Sequence, residues 1–231
     1  MPELVVSEIF GPTVQGEGPS TGRRAMFVRL GRCNLDCSWC DTPYTWDWTR
    51  FDADAELTRY AVGAVVEQVH QAELVVITGG EPMLQRAGLL ALAEALSVEH
   101  VVEVETNGTQ RPTEALIAAV SRFNVSPKLR HSGVDPERAI VPDALRDFAE
   151  LAIDDGAAFK FVVASVADLS EVDDLVDVFD IPVESVWVMP EGRDPASIEI
   201  GLKSLVAETI GRGYNLSGRL HVTVWGDERG R

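Results

Sequence analysis

The chain has three cysteines, Cys33, Cys37 and Cys40, spaced C-x3-C-x2-C within Cys33-Asn34-Leu35-Asp36-Cys37-Ser38-Trp39-Cys40. An odd count in one short loop is no disulfide framework, and such near neighbours bridge poorly. Thiolates at this spacing can wrap one small metal centre, and soft sulfur selects zinc, copper(I) or an iron–sulfur cluster. Structural zinc takes four protein ligands, so a zinc site would need His70, His100, His131 or His221 as the fourth, and none lies near the loop in sequence. A 4Fe–4S cluster also usually takes four cysteines. Three would leave one iron open to a substrate or cofactor, and the spacing favours this reading. Thiols kept in this way imply a reducing, cytoplasmic compartment.

Other residues could join that chemistry. Thr78-Gly79-Gly80-Glu81-Pro82 follows the apolar run Leu74-Val75-Val76-Ile77. Two glycines there let backbone approach a ligand closely. The plainer alternative is a tight turn, with Glu81 and Pro82 opening the next helix. Arg29 sits in Met26-Phe27-Val28-Arg29-Leu30. If buried it needs an anion: a substrate carboxylate, or an internal salt bridge to Glu17 or another acid. Lys160 in an apolar strand fits a solvated edge or a site role equally. His221 reads as a core or edge histidine or as a substrate contact.

The elements that must position these residues alternate between strand and helix. Buried-type strands are expected at Met26–Leu30, Leu74–Ile77, Val101–Val104, Phe123–Val125, Phe159–Val163 and Val186–Val188. Helices are expected from Ala55 to Val69, with Leu57, Tyr60, Ala61, Ala64 and Val65 on one face, and around Leu89, Leu92, Ala93 and Leu96. Unusual residues follow nearly every strand, as they do where ligands bind at strand carboxyl ends. The expected fold is α/β: a partial, open parallel β/α barrel of about six strands. Glu3–Phe10 and Arg219–Trp225 would be added N- and C-terminal strands.

The 231 residues show no linker or repeat, so 1–231 reads as a single domain. Hydrophobic residues make up 45% and charged residues 25%, which excludes a disordered chain or a coiled-coil rod. No run approaches the ~20 apolar residues of a membrane span, and no secretory signal is visible at the start. Lys plus Arg is 20 against 37 for Asp plus Glu, a net charge of −17, which disfavours direct nucleic-acid and anionic-membrane partners.

The cysteine motif followed one βα unit later by Gly79-Gly80-Glu81-Pro82 resembles the radical S-adenosylmethionine superfamily, and Trp39 before the third cysteine also matches. Within it, the chain resembles the 7-carboxy-7-deazaguanine synthase family. The likeness is carried by Val14-Gln15-Gly16-Glu17-Gly18, Phe27-Val28-Arg29-Leu30, Asp41-Thr42, Ser126-Pro127-Lys128, Met189-Pro190-Glu191-Gly192 and Arg219-Leu220-His221…Trp225-Gly226…Arg229-Gly230. It runs from about residue 7 to the C-terminus. Arg32 departs from it, since a glycine usually precedes the first cysteine.

The resemblance implies that Cys33, Cys37 and Cys40 hold a 4Fe–4S cluster whose open iron takes S-adenosylmethionine. Gly80, Ser126, Pro127 and Lys128 would line that cofactor, and Glu105 and Asn107 would reach its ribose or methionine portion. Val14, Gln15, Gly16, Arg29 and Thr78 would bind a pterin substrate, with Arg29 on its carboxylate, and Thr42 would ligate Mg²⁺. The implied reaction is a lyase-type ring contraction of 6-carboxy-5,6,7,8-tetrahydropterin to 7-carboxy-7-deazaguanine, a 7-deazapurine (queuosine) precursor, with loss of ammonia. Its catalyst would be a cofactor-derived radical and no protein side chain. Flavodoxin or ferredoxin would donate the electron, and the enzyme would be a homodimer. The alternatives are another small radical enzyme, such as a glycyl-radical activase, and a non-catalytic iron–sulfur protein.

Overall fold

Alternation along the strands sorts side chains between two environments. Met26, Val28 and Leu30, then Val75 and Ile77, then Val102 and Val104 point outward under the helices and belong to one continuous core. The opposite face holds a smaller cluster of Ala25, Phe27, Leu74 and Val76. Further along, that inner face turns polar, with Glu103, Asn124 and Lys160 all buried.

A computed structural model describes residues 2–231. Its strands are β1 (Glu3–Val14), β2 (Arg24–Leu30), β3 (Thr58–Ala61), β4 (Leu74–Gly79), β5 (Val101–Thr106), β6 (Arg122–Val125), β7 (Ala157–Val163), β8 (Val186–Pro190) and β9 (Asn215–Leu216). They form one sheet in the order β3-β1-β2-β4-β5-β6-β7-β8-β9. The strands β2, β4, β5, β6, β7 and β8 run parallel, as the sequence leads one to expect. β1 joins this set antiparallel along β2, with shifts in register near Ser7 and Gly11–Pro12. The helices are α1 (Ala53–Glu56), α2 (Val62–Val69), α3 (Arg86–Leu96), α4 (Glu114–Ala119), α5 (Pro136–Ala139), α6 (Pro142–Ala152), α7 (Leu169–Phe179), α8 (Pro195–Gly211) and α9 (Leu220–Trp225).

The sheet curls. In sheet order β1 and β7 lie five steps apart, about 24 Å in a flat sheet at the usual strand spacing. Yet Glu17, just past β1, is ion-paired with Lys160 of β7. Gly18 N–H donates to Ser217 Oγ at 2.8 Å, and Leu220 N–H to the Gly16 carbonyl at 2.9 Å. The loop after β1 and the segment after β9 thus strap the open side of the partial barrel.

Two expected elements differ. The single helix from Ala55 to Val69 is instead α1, then β3, then α2. Thr58–Ala61 pairs antiparallel with Glu3–Val6, because the first half of β1 has an edge whose backbone groups need partners. β-branched Thr58 and aromatic Tyr60 suit that edge. The expected C-terminal strand Arg219–Trp225 is α9, a helix. Its alternation has no matching burial: Val222 is buried while Val224 and Trp225 are exposed. Thr223 N–H bonds the Arg219 carbonyl and Gly226 N–H bonds that of Val222. Asn215–Leu216 supplies the added strand instead, parallel to β8.

Candidate active site

A cavity of about 540 Å³ opens at the carboxyl ends of the parallel strands. Cys33, Cys37, Cys40 and Thr42 line it from the loop after β2. Val14, Gln15 and Gly16 line it from the loop after β1, and Arg29 and Thr78 from strand ends. Gly80, Glu105, Asn107, Ser126 and Lys128 complete the expected set. Pro127 is the exception: it is buried and does not line the cavity, so its part is to fix the backbone between Ser126 and Lys128.

The thiols suit a cluster more than a single ion. Among the described residues, no three or more His, Cys, Asp or Glu side chains are gathered closely enough for one metal ion. His70 turns to the Glu67 carbonyl and His100 to that of Ala72, His221 lies toward Glu17, and His131 stacks on Trp39 at the edge of the cysteine loop. A cubane spreads its thiolates over different irons, so three cysteines spaced around one cavity fit it. Burial pushes the Cys33 thiol up to about 12 and raises that of Cys37. Those two thiols are therefore protonated at neutral pH, and a bound metal would displace the protons. N–H···S bonds already await that charge: Leu35 N–H reaches Cys33 Sγ at 3.4 Å and Trp46 Nε1 reaches Cys40 Sγ at 3.3 Å. Such bonds stabilise thiolates and tune cluster potentials.

The Gly79-Gly80 turn is required by protein, whatever it also offers a ligand. A Cβ on Gly79 would stand 2.2 Å from the Leu30 carbonyl oxygen, and one on Gly80 2.2 Å from that of Arg32. The end of β4 is pressed against the start of the cysteine loop, and Gly80 N–H and Glu81 N–H bond the Leu30 and Arg32 carbonyls. Glu81 realises the plainer reading of its motif. Fully buried, it accepts from Met83 N–H at 2.9 Å, Thr106 Oγ1 at 2.9 Å and Asn107 N–H at 2.7 Å. It clamps the turn to the end of β5. Burial raises its carboxyl above the ordinary value despite these donors. Asn107 in turn donates to Asn34 in the cysteine loop at 3.0 Å. Lys128 Nζ caps the Ser126 carbonyl at 2.6 Å and lies over the Trp39 ring.

The far wall is charged. Arg29 pairs with Glu8, Nε to Oε1 at 2.7 Å, and not with Glu17; Tyr44 donates to the same oxygen at 2.8 Å. That Nε bond is the guanidinium's one hydrogen bond among the described residues, which leaves its terminal nitrogens for another anion. Glu105 accepts from Thr78 Oγ1 at 2.8 Å and Gln15 Nε2 at 3.2 Å, and stands 3.8 Å from Lys160 Nζ. Lys160 is therefore no solvated edge residue: it is buried and paired to Glu17 as well. Burial opposes the charge on Glu17, but Lys160, Arg219 and His221 outweigh it and hold that carboxyl well below the usual range. Burial likewise lowers His221, which approaches Glu17 to 3.9 Å and packs on Gly16.

Sequence reading did not single out Glu8, Asp41 or Arg219 as site residues. Arg219 is buried and bonds Glu17, Asp41 and the Gly192 carbonyl. Asp41 and Arg219 lay inside quoted motifs with no role given, and Glu17 was read only as a salt-bridge partner for Arg29. The available signal was Lys160 between Phe159 and Phe161, since a cation in a buried strand demands carboxylates elsewhere.

Residues 28–155 match the radical SAM superfamily. The 7-carboxy-7-deazaguanine synthase of Pyrobaculum aerophilum is 37% identical, across all of this chain and 98% of its own length. That of Hyperthermus butylicus is 38% identical, across 96% of this chain and 92% of its own length. The crystal structure of QueE from Escherichia coli superposes with a TM-score of 0.69 at 25% identity, covering 95% of each chain. Motif, cavity and whole-length similarity agree, and the chain belongs to the 7-carboxy-7-deazaguanine synthase family of the radical S-adenosylmethionine superfamily.

Proposed function

We propose that the chain converts 6-carboxy-5,6,7,8-tetrahydropterin to 7-carboxy-7-deazaguanine with release of ammonia. The observation that carries this is one cavity lined by the three thiols, by Arg29 and by the polar wall of Gln15, Thr78, Glu105 and Lys160. When bound, a 4Fe–4S cluster and S-adenosylmethionine supply one-electron cleavage and hydrogen-atom abstraction from the substrate. Cys33, Cys37 and Cys40 hold the cluster. Gly80, Ser126 and Lys128 would line the cofactor, and Glu105 and Asn107 would reach its ribose or methionine portion.

The remaining residues bind and orient the pterin. Arg29 offers its free guanidinium edge to the carboxylate. Val14 and Gly16 offer backbone groups, and Gln15 and Thr78 are held in place by Glu105. The bonds of Glu105 to Gln15 and Thr78, and its closeness to Lys160, hold these groups in fixed positions around the substrate. Thr42 would contribute one oxygen to a Mg²⁺, an ion that commonly fills its remaining positions with substrate oxygens and waters. Support for that role is its position: the hydroxyl lies 3.8 Å from Cys40 Sγ, while the Thr42 carbonyl serves the local turn. The family further implies a flavodoxin or ferredoxin donor, a homodimer and a reducing cytoplasm, the last supported by three free thiols.

The test is anaerobic reconstitution followed by incubation with S-adenosylmethionine, reductant, Mg²⁺ and the carboxypterin. The expected results are about four iron per chain by the cluster's stoichiometry, 5′-deoxyadenosine, and 7-carboxy-7-deazaguanine by mass spectrometry. Zinc uptake without iron would overturn the cluster. Formation of 5′-deoxyadenosine with no change in the pterin would overturn the substrate.

A further inference from the structure

Arg219 stands where four stretches of chain meet. Its Nε donates to Glu17 Oε1 at 2.8 Å, its Nη1 to the Gly192 carbonyl at 2.7 Å, and its Nη2 to Asp41 Oδ2. Every guanidinium nitrogen is used, and the side chain is 10% exposed. Asp41 directly follows Cys40, and Glu17 lies two residues after Gln15. Beside it, Arg193 donates to the Cys40 carbonyl from the loop after β8.

The two loops so joined have little structure of their own. Residues 31–42 and 15–17 contain neither helix nor strand. The cysteine loop packs in a small cluster of Leu35, Val134 and Ala139, apart from the main core. It is held at its start by backbone bonds such as Arg32 N–H to the Thr45 carbonyl at 2.6 Å, at Ser38 by a bond to the Ser132 carbonyl at 2.9 Å, and at its end by side-chain ties. Among the ties is a rigid planar fork that bonds carboxylates from both loops, so a shift of Asp41 is passed on to Glu17.

We propose that Arg219 is a positioning residue that couples the cysteine loop to the substrate loop, so that filling either site orders the other. The inference rests on the functional reading above. Linkage makes the coupling reciprocal. It would hold the substrate pocket loose until the radical source is in place.

The test is calorimetric titration with 6-carboxypterin, an oxidised and unreactive analogue, of cluster-free and reconstituted chain. Reconstitution should tighten binding about tenfold, within the usual range of coupling between sites. Arg219→Lys keeps a charge but loses the fork, and Asp41→Asn loosens only the arm to the cysteine loop. In both, the ratio of the two affinities should fall to about one, the value for uncoupled sites. If either variant weakens both affinities alike and leaves the ratio unchanged, Arg219 is only scaffold and the proposal fails. Should Arg219→Lys not fold, Asp41→Asn decides alone. No tightening in the unaltered chain would overturn the coupling while leaving the substrate reading intact. No binding in either form would overturn the substrate reading and the inference with it.

Discussion

At the residue scale, Arg29 and Thr42 invite the sharpest tests. Arg29 is tied by Nε to Glu8, so its terminal nitrogens are already aimed. Arg29→Lys should cost on the order of 2–5 kcal/mol of carboxypterin binding, the usual loss for one partner of a buried charged pair. A decarboxylated analogue, read by the same titration, should lose far less; equal losses would mark Arg29 as a structural partner of Glu8. Thr42→Ala should blunt the rise of turnover with added Mg²⁺ while iron content and 5′-deoxyadenosine formation persist, and Thr42→Ser should restore the response. An unmoved Mg²⁺ titration would remove Thr42 from the site. Legibility at this scale followed chemical distinctiveness. Three cysteines in one loop announce themselves. Glu17, Asp41 and Arg219 do not, because acids and arginines are common on surfaces, and only the curl of the sheet brings these three together.

At the element scale, the turn after β4 is the part with least freedom. Gly80→Ala puts a methyl group 2.2 Å from the Arg32 carbonyl oxygen and 2.9 Å from Cys33 Cβ, so the cysteine loop must move. Overpacking of this kind costs about 1–3 kcal/mol. The expected outcome is a lower melting temperature together with less iron retained per chain after reconstitution. Full iron retention would show that the loop yields without harm to the thiols. The six parallel strands were legible because each is a short apolar run closed by special residues. The Ala55–Val69 segment was not, because its helical periodicity crosses the break at Leu57 and the need for a partner lies in β1. Arg219–Trp225 misled in the opposite way. Its alternating apolar residues suit a strand, but the segment is held by the ion pairs of Arg219 and by the contact of His221 with Gly16.

At the scale of the whole molecule, the buried charges set the response to pH. Glu17 is held below its ordinary range, against burial, by Lys160, Arg219 and His221. Unfolded, a glutamate titrates near about 4.3. Its contribution to stability is complete above that value and is lost as pH falls toward the lower folded value. Lys160, raised by Glu17 and Glu105 against its burial, behaves in reverse: its contribution is complete below about 10.4 and is lost as pH climbs past it. Glu17→Gln should lower stability at neutral pH by about 3–5 kcal/mol, as for other broken buried pairs. It should also flatten the acid limb of melting temperature against pH below about 4.3. An acid limb as steep as before would assign the lability to other carboxylates.

The strap across the open side also bears on how the molecule is made. Glu17 and Arg219 are 202 positions apart in the chain. Contacts between such distant residues form late, after the local strand and helix pairings. On the ribosome, the cysteines emerge long before the residue that seals their loop to the rest of the cavity. The nascent chain therefore carries three thiols and no closed chamber around them, and the cavity is completed only once synthesis has passed residue 219. A half-made chain could acquire iron, but it could not yet enclose a radical.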